Sequence, residues 1–212
     1  MRIVVISDTH GQHRKLGTLR GDVLIHAGDM ESLFAPENGA WQLDDIDDWF
    51  GQQDFDRIFC IGGNHDAELE RRVSLGQEPF TNTTWLHESC IKYKGVTFYG
   101  ASWVPMLPHL PFFADAKTLT GAWARIPDDV DVLVTHTPPL GVLDVSSRGK
   151  VLGCAHLAQR LKALSPALHC FGHVHNGAGQ KQIGATTFAN ATNVNSQFRV
   201  TYPPFVFEIP TK

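Results

Sequence analysis

The chain has 212 residues, of which 42% are hydrophobic and 19% charged, so a sizeable core can form and global disorder is excluded. A formal net charge of -4 and a pI of about 6.2 argue against a protein that grips a nucleic-acid polymer on a basic face. No apolar stretch nears the ~20 residues of a membrane span, and Met1-Arg2 runs directly into a short apolar run instead of a leader. The expectation is one cytoplasmic domain over residues 1–212 that does not engage a membrane.

In chain order, β-branched apolar runs predict buried strands at 3–7, 23–27, 57–61, 96–100, 130–135 and 168–171. Between them, Trp41, Leu43, Ile46, Trp49 and Phe50 form a helical stripe, with Asp44, Asp45, Asp47 and Asp48 on the wet side. Shorter helices are expected at 67–75 and 119–125. A further one at 155–164 is marked by Leu157, Leu161 and Leu164. Pro105, Pro108 and Pro111 make 103–111 a loop. Segments 177–179, 180–183, 186–190 and 205–209 read as short antiparallel strands. Alternating strands and helices followed by short strands argue a layered α/β domain with a mixed sheet, or two sheets. Cys60, Cys90, Cys154 and Cys170 have no C-x-x-C spacing, lie in apolar surroundings and are expected to be buried thiols.

The chemistry gathers where apolar runs end: Asp8-Thr9-His10, Gly28-Asp29, Gly63-Asn64-His65-Asp66, His136 and Gly172-His173-Val174-His175. In extended backbone, residues i and i+2 point the same way, so Asp8/His10 and His173/His175 can each reach one ion. Ligands in α/β sheets collect beyond the carboxyl ends of strands, which lets these distant fragments converge. Asp66 stands beside His65, where a carboxylate could orient its imidazole. Each fragment alone is weak; their order, placement and flanking glycines agree.

D-x-H, G-D, G-N-H-D, H and G-H-x-H, in this order, resemble the calcineurin-like metallophosphoesterase family. The stretches 136–141, 153–154 and 191–204 further resemble its small MPPED-type subgroup. The resemblance implies a layered sandwich of two mainly mixed β-sheets flanked by helices. It also implies a binuclear metal centre. One divalent ion would be held by Asp8, His10, Asp29 and His175, and the other by Asp29, Asn64, His136 and His173. Manganese is favoured, with Fe, Zn, Co or Ni also suited to an all-N/O ligand set. His65, aided by Asp66, would be catalytic and face the phosphate together with Asn64. Two divalent ions against two carboxylates and one bridging hydroxide leave about one positive charge, enough to attract a phosphoester and to supply hydroxide as the nucleophile.

The chain departs from related protein phosphatases and dinucleoside-tetraphosphate hydrolases. Met30-Glu31-Ser32-Leu33 follows Asp29 where they carry D-x-x-D-R-G, and Gly62 stands in place of an arginine. Without those phosphate clamps, a phosphodiester on a small molecule such as a cyclic or modified nucleotide is the expected substrate. A broad phosphomonoesterase and a metal- or nucleotide-binding scaffold are the alternatives. Arg148 and Lys150, in a Ser/Gly loop after His136, are candidate phosphate contacts, and His109 and Trp103 candidate contacts near the proline-rich loop. His26 reads as a core histidine. Asn190, Asn193 and Asn195 are candidates for shaping the edge of the site.

Overall fold

The computed structural model describes residues 1–33 and 40–211. Eleven strands among them form two mixed sheets. The first is built from β1 (Arg2–Ile6), β2 (Arg20–Ala27), β3 (Asp54–Ile61) and β4 (Thr84–Trp85), all parallel, with β11 (Phe205–Glu208) antiparallel to β1. The second has parallel β6 (Val96–Ala101), β7 (Val132–Thr135), β8 (Leu168–Phe171) and β10 (Thr186–Asn190). Its edges are the antiparallel β5 (Ser89–Tyr93) and β9 (Gly179–Ile183). Helices α1 (Ala40–Gly51), α2 (Ala67–Ser74), α3 (Ala116–Ala124) and α4 (Ala155–Leu161) flank them. No helix among the described residues is long and apolar enough to cross a membrane.

The continuous apolar runs of the parallel strands follow from burial on both faces. Along β1, Ile3 and Val5 enter the core between the sheets while Val4 and Ile6 pack on the α1 side. Val23 and Ile25 alternate with Leu24, and Phe59 and Ile61 with Ile58 and Cys60, in the same way. From the second sheet, Val132 and Val134 meet that shared core, whereas Leu133 turns to a cluster with Trp123 of α3 and Leu157 of α4. Residues of both sheets thus fill one core, and the sheets cannot separate without exposing it.

Several expectations are corrected. Trp41 is 54% exposed, while Leu43, Ile46, Trp49 and Phe50 are buried. At about 100° per residue, Trp41 lies about 160° around the helix from Leu43, off the apolar stripe. Strand β5, hidden in the sequence by Ser89 and Lys92, is an edge strand with alternating burial, and it leaves Cys90 exposed; the other three thiols are buried. Of the strand expected at 177–179, Gly177 closes a 3-10 turn over His175–Gly177, and Gly179 begins β9. β10 pairs parallel with β8 as well as antiparallel with β9. Helix α3 starts earlier than expected because Asp115 caps it, accepting the Thr118 N–H at 2.8 Å.

Candidate metal centre

Five parallel strands deliver the candidate ligands. β1, β2 and β3 end at Ile6, Ala27 and Ile61, just before Asp8, Asp29 and Asn64; β7 and β8 end at Thr135 and Phe171, just before His136 and His173. The backbone then turns sharply. Asp8, His10, Asp29 and His173 all hold φ between 44° and 67°, a region that costs a non-glycine residue on the order of 1–3 kcal/mol. Hydrogen bonds between the two loops impose it. Asp8 N–H donates to Gly28 O (2.9 Å), His10 N–H to Asp29 O (3.1 Å) and Gly11 N–H to Met30 O (2.8 Å). Strain of this kind, met at four ligand-type residues, marks a site whose geometry matters more than its local stability.

Glycine supplies the room. A Cβ on Gly28 would stand 2.6 Å from His136 Nδ1. One on Gly63 would strike the Asp29 carboxylate, and one on Gly172 would strike Ser7 Oγ and Asp8 Oδ2. These three residues let the two sheets' loops approach closely.

The polar atoms converge in two overlapping groups, Asp8–His10–His175 and Asp8–Asp29–His136, each within 4.8 Å. In the first, His10 Nε2 faces His175 Nε2 at 3.3 Å and Asp29 Oδ2 at 3.9 Å, and His175 Nε2 lies 3.5 Å from Asp8 Oδ1. In the second, His136 Nε2 lies 3.3 Å from Asp29 Oδ2 and 3.2 Å from Asn64 Oδ1. The His173 ring stands edge-on to that of His136 at 5.1 Å, and the His173 N–H donates to both Asp8 oxygens at 3.0 and 3.1 Å. One carboxylate oxygen, Asp29 Oδ2, thus touches both groups.

This donor set fits divalent cations. His136 Nδ1 lies 2.8 Å from the Ala27 carbonyl, so that nitrogen carries a proton and donates it. In the neutral ring Nε2 is then a lone pair, aimed at the Asn64 oxygen and the Asp29 carboxylate. In that neutral form three acceptors meet in a buried place, and a metal cation satisfies them in place of the Nε2 proton. The His10/His175 nitrogens facing each other beside Asp8 pose the same demand.

Electrostatics agree. Burial alone would raise the Asp8 carboxyl, but its hydrogen bond to His175 and the neighbouring imidazoles bring it down to about 2. Burial opposes the charge on Asp29 too, and His136 and His10 hold it well below the usual carboxylate range. Burial pushes His10 and His173 down to about 4, leaving neutral rings. His136 is raised to about 9, the Asp29 charge prevailing over burial.

The structure thus brings Asp8, His10, Asp29, Asn64, His136 and His175 together, with His173 beside them through its ring contact with His136 and its N–H bonds to Asp8. His65 joins from the side: its ring leans on His10 at 5.3 Å, and its N–H donates to Asp29 Oδ1 at 2.8 Å. Asp66 does not orient that imidazole. Its carboxylate accepts four backbone N–H groups, from Asp29 (2.9 Å), Met30 (2.7 Å), Glu31 (2.9 Å) and Gly63 (2.8 Å). Buried at the start of α2, Asp66 clamps the Asp29 loop to the Asn64 loop by accepting N–H groups from both.

Arg148 and Lys150 sit exposed on a hairpin turn and, among the described residues, make no contact with a candidate ligand. His109 is exposed on the proline-rich loop, and the Trp103 indole donates to Glu88 at 2.8 Å. His26 is buried beneath the site, its Nε2 2.9 Å from the Thr9 hydroxyl. Asn190, Asn193 and Asn195 fold the loops around the rim, bonding Val174 O, Ser7 N and Arg199 N respectively. The sequence reading did not single out Phe198. Its ring meets both His10 and His175 edge-on at 5.0 Å, with φ 57° and a carbonyl held by the Gln12 amide at 2.8 Å. Nothing local in the sequence joins residue 198 to residue 10; only the fold does.

Known proteins place this geometry. The model of the calcineurin-like phosphoesterase family matches residues 1–177. A UPF0046 protein of Caenorhabditis elegans is 34% identical, covering 100% of this chain and 76% of its own length. Human metallophosphoesterase domain-containing protein 1 is 30% identical, covering 99% and 71%. Among solved structures, phosphopantetheinyl hydrolase of Mycobacterium tuberculosis shares the fold with a TM-score of 0.57 at 15% identity, covering 92% of this chain and 90% of that one. The chain belongs to the calcineurin-like phosphoesterase family and carries, at the carboxyl ends of both sheets, the ligand groups of a metal-dependent phosphoester hydrolase.

Proposed function

We propose that the protein is a single-domain phosphodiesterase that hydrolyses a small substrate, such as a cyclic or modified nucleotide, at a binuclear centre for which manganese is the first choice. The observation that carries this reading is the convergence of Asp8, His10 and His175 on one side and Asn64 and His136 on the other, with Asp29 Oδ2 between them. Two divalent ions bound there would supply Lewis-acid activation of the ester and a water ionised near neutral pH. The remaining work falls to the chain's own residues. His65, outside the ligand cluster yet 5.3 Å from the His10 ring, holds a proton over the site and passes it to the departing oxygen. Asn64 and His65 face the phosphate. Asp66 fixes the loops that present Asp29 and Asn64 and takes no part in proton transfer.

The preference for a diester rests on what surrounds the centre. Where an arginine would stand, a Cβ on Gly62 would strike the Phe112 ring. Met30 and Glu31 are buried, and Glu31 is spent on the N–H groups of Glu68 and Leu69 at 3.1 and 2.9 Å. Neither stretch offers a clamp for a dianionic monoester. Arg148 and Lys150, exposed at the periphery, steer an anion toward the site and do not grip it.

The test is a rate comparison on metal-stripped protein with manganese restored. Bis-p-nitrophenyl phosphate should turn over faster than p-nitrophenyl phosphate. The reverse order would replace this reading with a phosphomonoesterase, and nucleotide binding without turnover would replace it with a scaffold.

A further inference from the structure

Beside the ligand cluster lies a cleft of about 170 Å³ lined by His173 and His175 together with Ser146, Ser147, Asn176 and Ser196. We propose that it seats the alcohol side of the ester, and that this alcohol is an uncharged, hydroxyl-bearing unit, a sugar ring or a glycerol. The proposal rests on the phosphodiesterase reading and gives it a substrate class.

Three observations carry it. First, two of the cleft's walls are candidate metal ligands, so a group bound here lies beside the centre. Second, three polar side chains of the cleft, those of Ser147, Asn176 and Ser196, are free to bind, while Ser146 Oγ accepts the Lys150 N–H at 3.0 Å. The hairpin that carries Ser146 and Ser147 closes on itself through Ser146 N–H to Lys150 O (2.9 Å) and Gly149 N–H to Ser146 O (2.9 Å). The loop that carries Ser196 closes on Asn195, whose Oδ1 accepts the N–H groups of Gln197 (2.9 Å) and Arg199 (3.2 Å). Both walls are thus held by their own backbones, and the Ser147, Asn176 and Ser196 side chains have no protein partner among the described residues. Third, the lining disfavours other ligands. It holds no lysine, arginine or carboxylate, so a second phosphate or an amine would have to find its counter-charge outside the cleft. Leu152 and Val174 are its only apolar residues, too little for the face of a nucleobase. A larger cavity of about 440 Å³, walled by Pro105, Met106, Phe113 and Leu119, is mainly apolar and includes none of the candidate ligands. Size agrees as well: the cleft holds the volume of about six waters, at ~30 Å³ each, which suits one sugar ring or one glycerol and not a whole nucleotide.

The experiment compares wild type with the Ser147→Ala/Ser196→Ala double variant, both loaded with manganese. The substrates are glycerophosphoglycerol, the methyl ester of ribose 5-phosphate and bis-p-nitrophenyl phosphate. The variant should lose roughly tenfold in kcat/KM, through KM, on the esters whose hydroxyls it no longer meets. It should change less than about twofold on the aromatic ester. Which of the two polyol esters suffers identifies the sugar or the glycerol as the occupant. A second readout is independent of turnover. Glycerol and methyl riboside, titrated into metal-free protein, should shift the backbone amide resonances of Ser147, Asn176 and Ser196, and the shifts should vanish in a Ser196→Trp variant that fills the cleft. Equal losses on all three esters, or no shift with either polyol, would overturn the cleft assignment while leaving the diesterase reading standing. Absence of turnover on every diester by the wild type would instead overturn the diesterase reading.

Discussion

At the carboxyl ends of their strands the two sheets offer different chemistry. The β1–β3 side presents Asp8, Asp29 and Asn64 with His10, and so holds both carboxylates and the amide oxygen; the β7–β8 side presents His136, His173 and His175, imidazoles alone. The first half is anionic and would repel itself without cations; the second is the half that a proton can disable. Neither forms a centre by itself. They meet at a seam stitched by His173 N–H to Asp8, His136 Nδ1–H to Ala27 O and Ser7 N–H to Asn193 Oδ1. The site is therefore a property of docked sheets, and each half can be broken separately.

The largest effect should come from removing Asp29, whose Oδ2 faces His10 of its own half and His136 of the other. Asp29→Ala is expected to abolish turnover and strip both metals, whereas His136→Ala should abolish turnover and empty chiefly the position beside Asn64. Metal analysis after gel filtration reads the difference; two metals retained in Asp29→Ala would refute the bridging assignment. His65→Ala should behave otherwise. The ring contacts His10 without joining the cluster, so metal content should stay at the wild-type level while kcat falls by roughly 10²–10⁴, the usual worth of a positioned proton donor. An unchanged kcat would remove His65 from the mechanism.

Next in size is the seam itself. In Gly172→Ala the new methyl would overlap Ser7 Oγ and Asp8 Oδ2, both on the opposite sheet. Overpacking of this kind costs about 1–3 kcal/mol, and here the strain falls on a ligand. Urea unfolding should show that loss, and manganese affinity should fall with it. A variant with unaltered stability and affinity would mean the seam yields more easily than the contacts imply.

These predictions also divide what was legible in the chain from what was not. The ligands were legible because each follows an apolar run whose both-faces burial marks a parallel strand, and strand ends are where a sheet can expose polar groups. The clamp made by Asp66 was not, because its four partners lie in two loops, and one of those loops is more than thirty residues away. Trp41 lies off the stripe because hydrophobicity alone does not fix a residue's angle around the helix. β5 was missed because an edge strand needs only one apolar face, and Ile91 between Cys90 and Lys92 gives little to read. Phe198 was overlooked for the same reason as Asp66: its contacts exist only after the chain has closed.

Smaller again is a pH effect that sets His136 and His175, both raised by carboxylates, apart from His10 and His173. His136 is raised to about 9 by Asp29, so near neutral pH, below that value, the metal-free protein keeps it protonated. His10 and His173, pushed by burial to about 4, are already neutral there. Metal must displace the His136 proton and any carried by His175, which the Asp8 carboxylate raises against burial, and none from His10 or His173. Loading the stripped protein near pH 7 should therefore release protons, and apparent affinity should rise with pH up to about 9. Calorimetric titration in buffers of different ionisation enthalpy counts them; a release of zero would contradict the His136–Asp29 pairing.

The smallest expected effect tests whether the rim matters to the centre. Phe198 braces His10 from the first half and His175 from the second, edge-on to each at 5.0 Å. An edge-to-face pair contributes about 0.5–1.5 kcal/mol beyond its buried area. Phe198→Leu keeps apolar bulk against both rings and loses only that geometry. It should weaken binding at the Asp8–His10–His175 position by about 3- to 10-fold and leave the Asn64–His136 position unchanged, because the Phe198 ring contacts reach no residue of that group. Cobalt titration followed by visible absorption can resolve the two steps. Equal weakening of both would show that Phe198 acts on the seam as a whole, and no weakening of either would show that the backbone bonds to Gly28 and Asp29 already hold Asp8 and His10 in place.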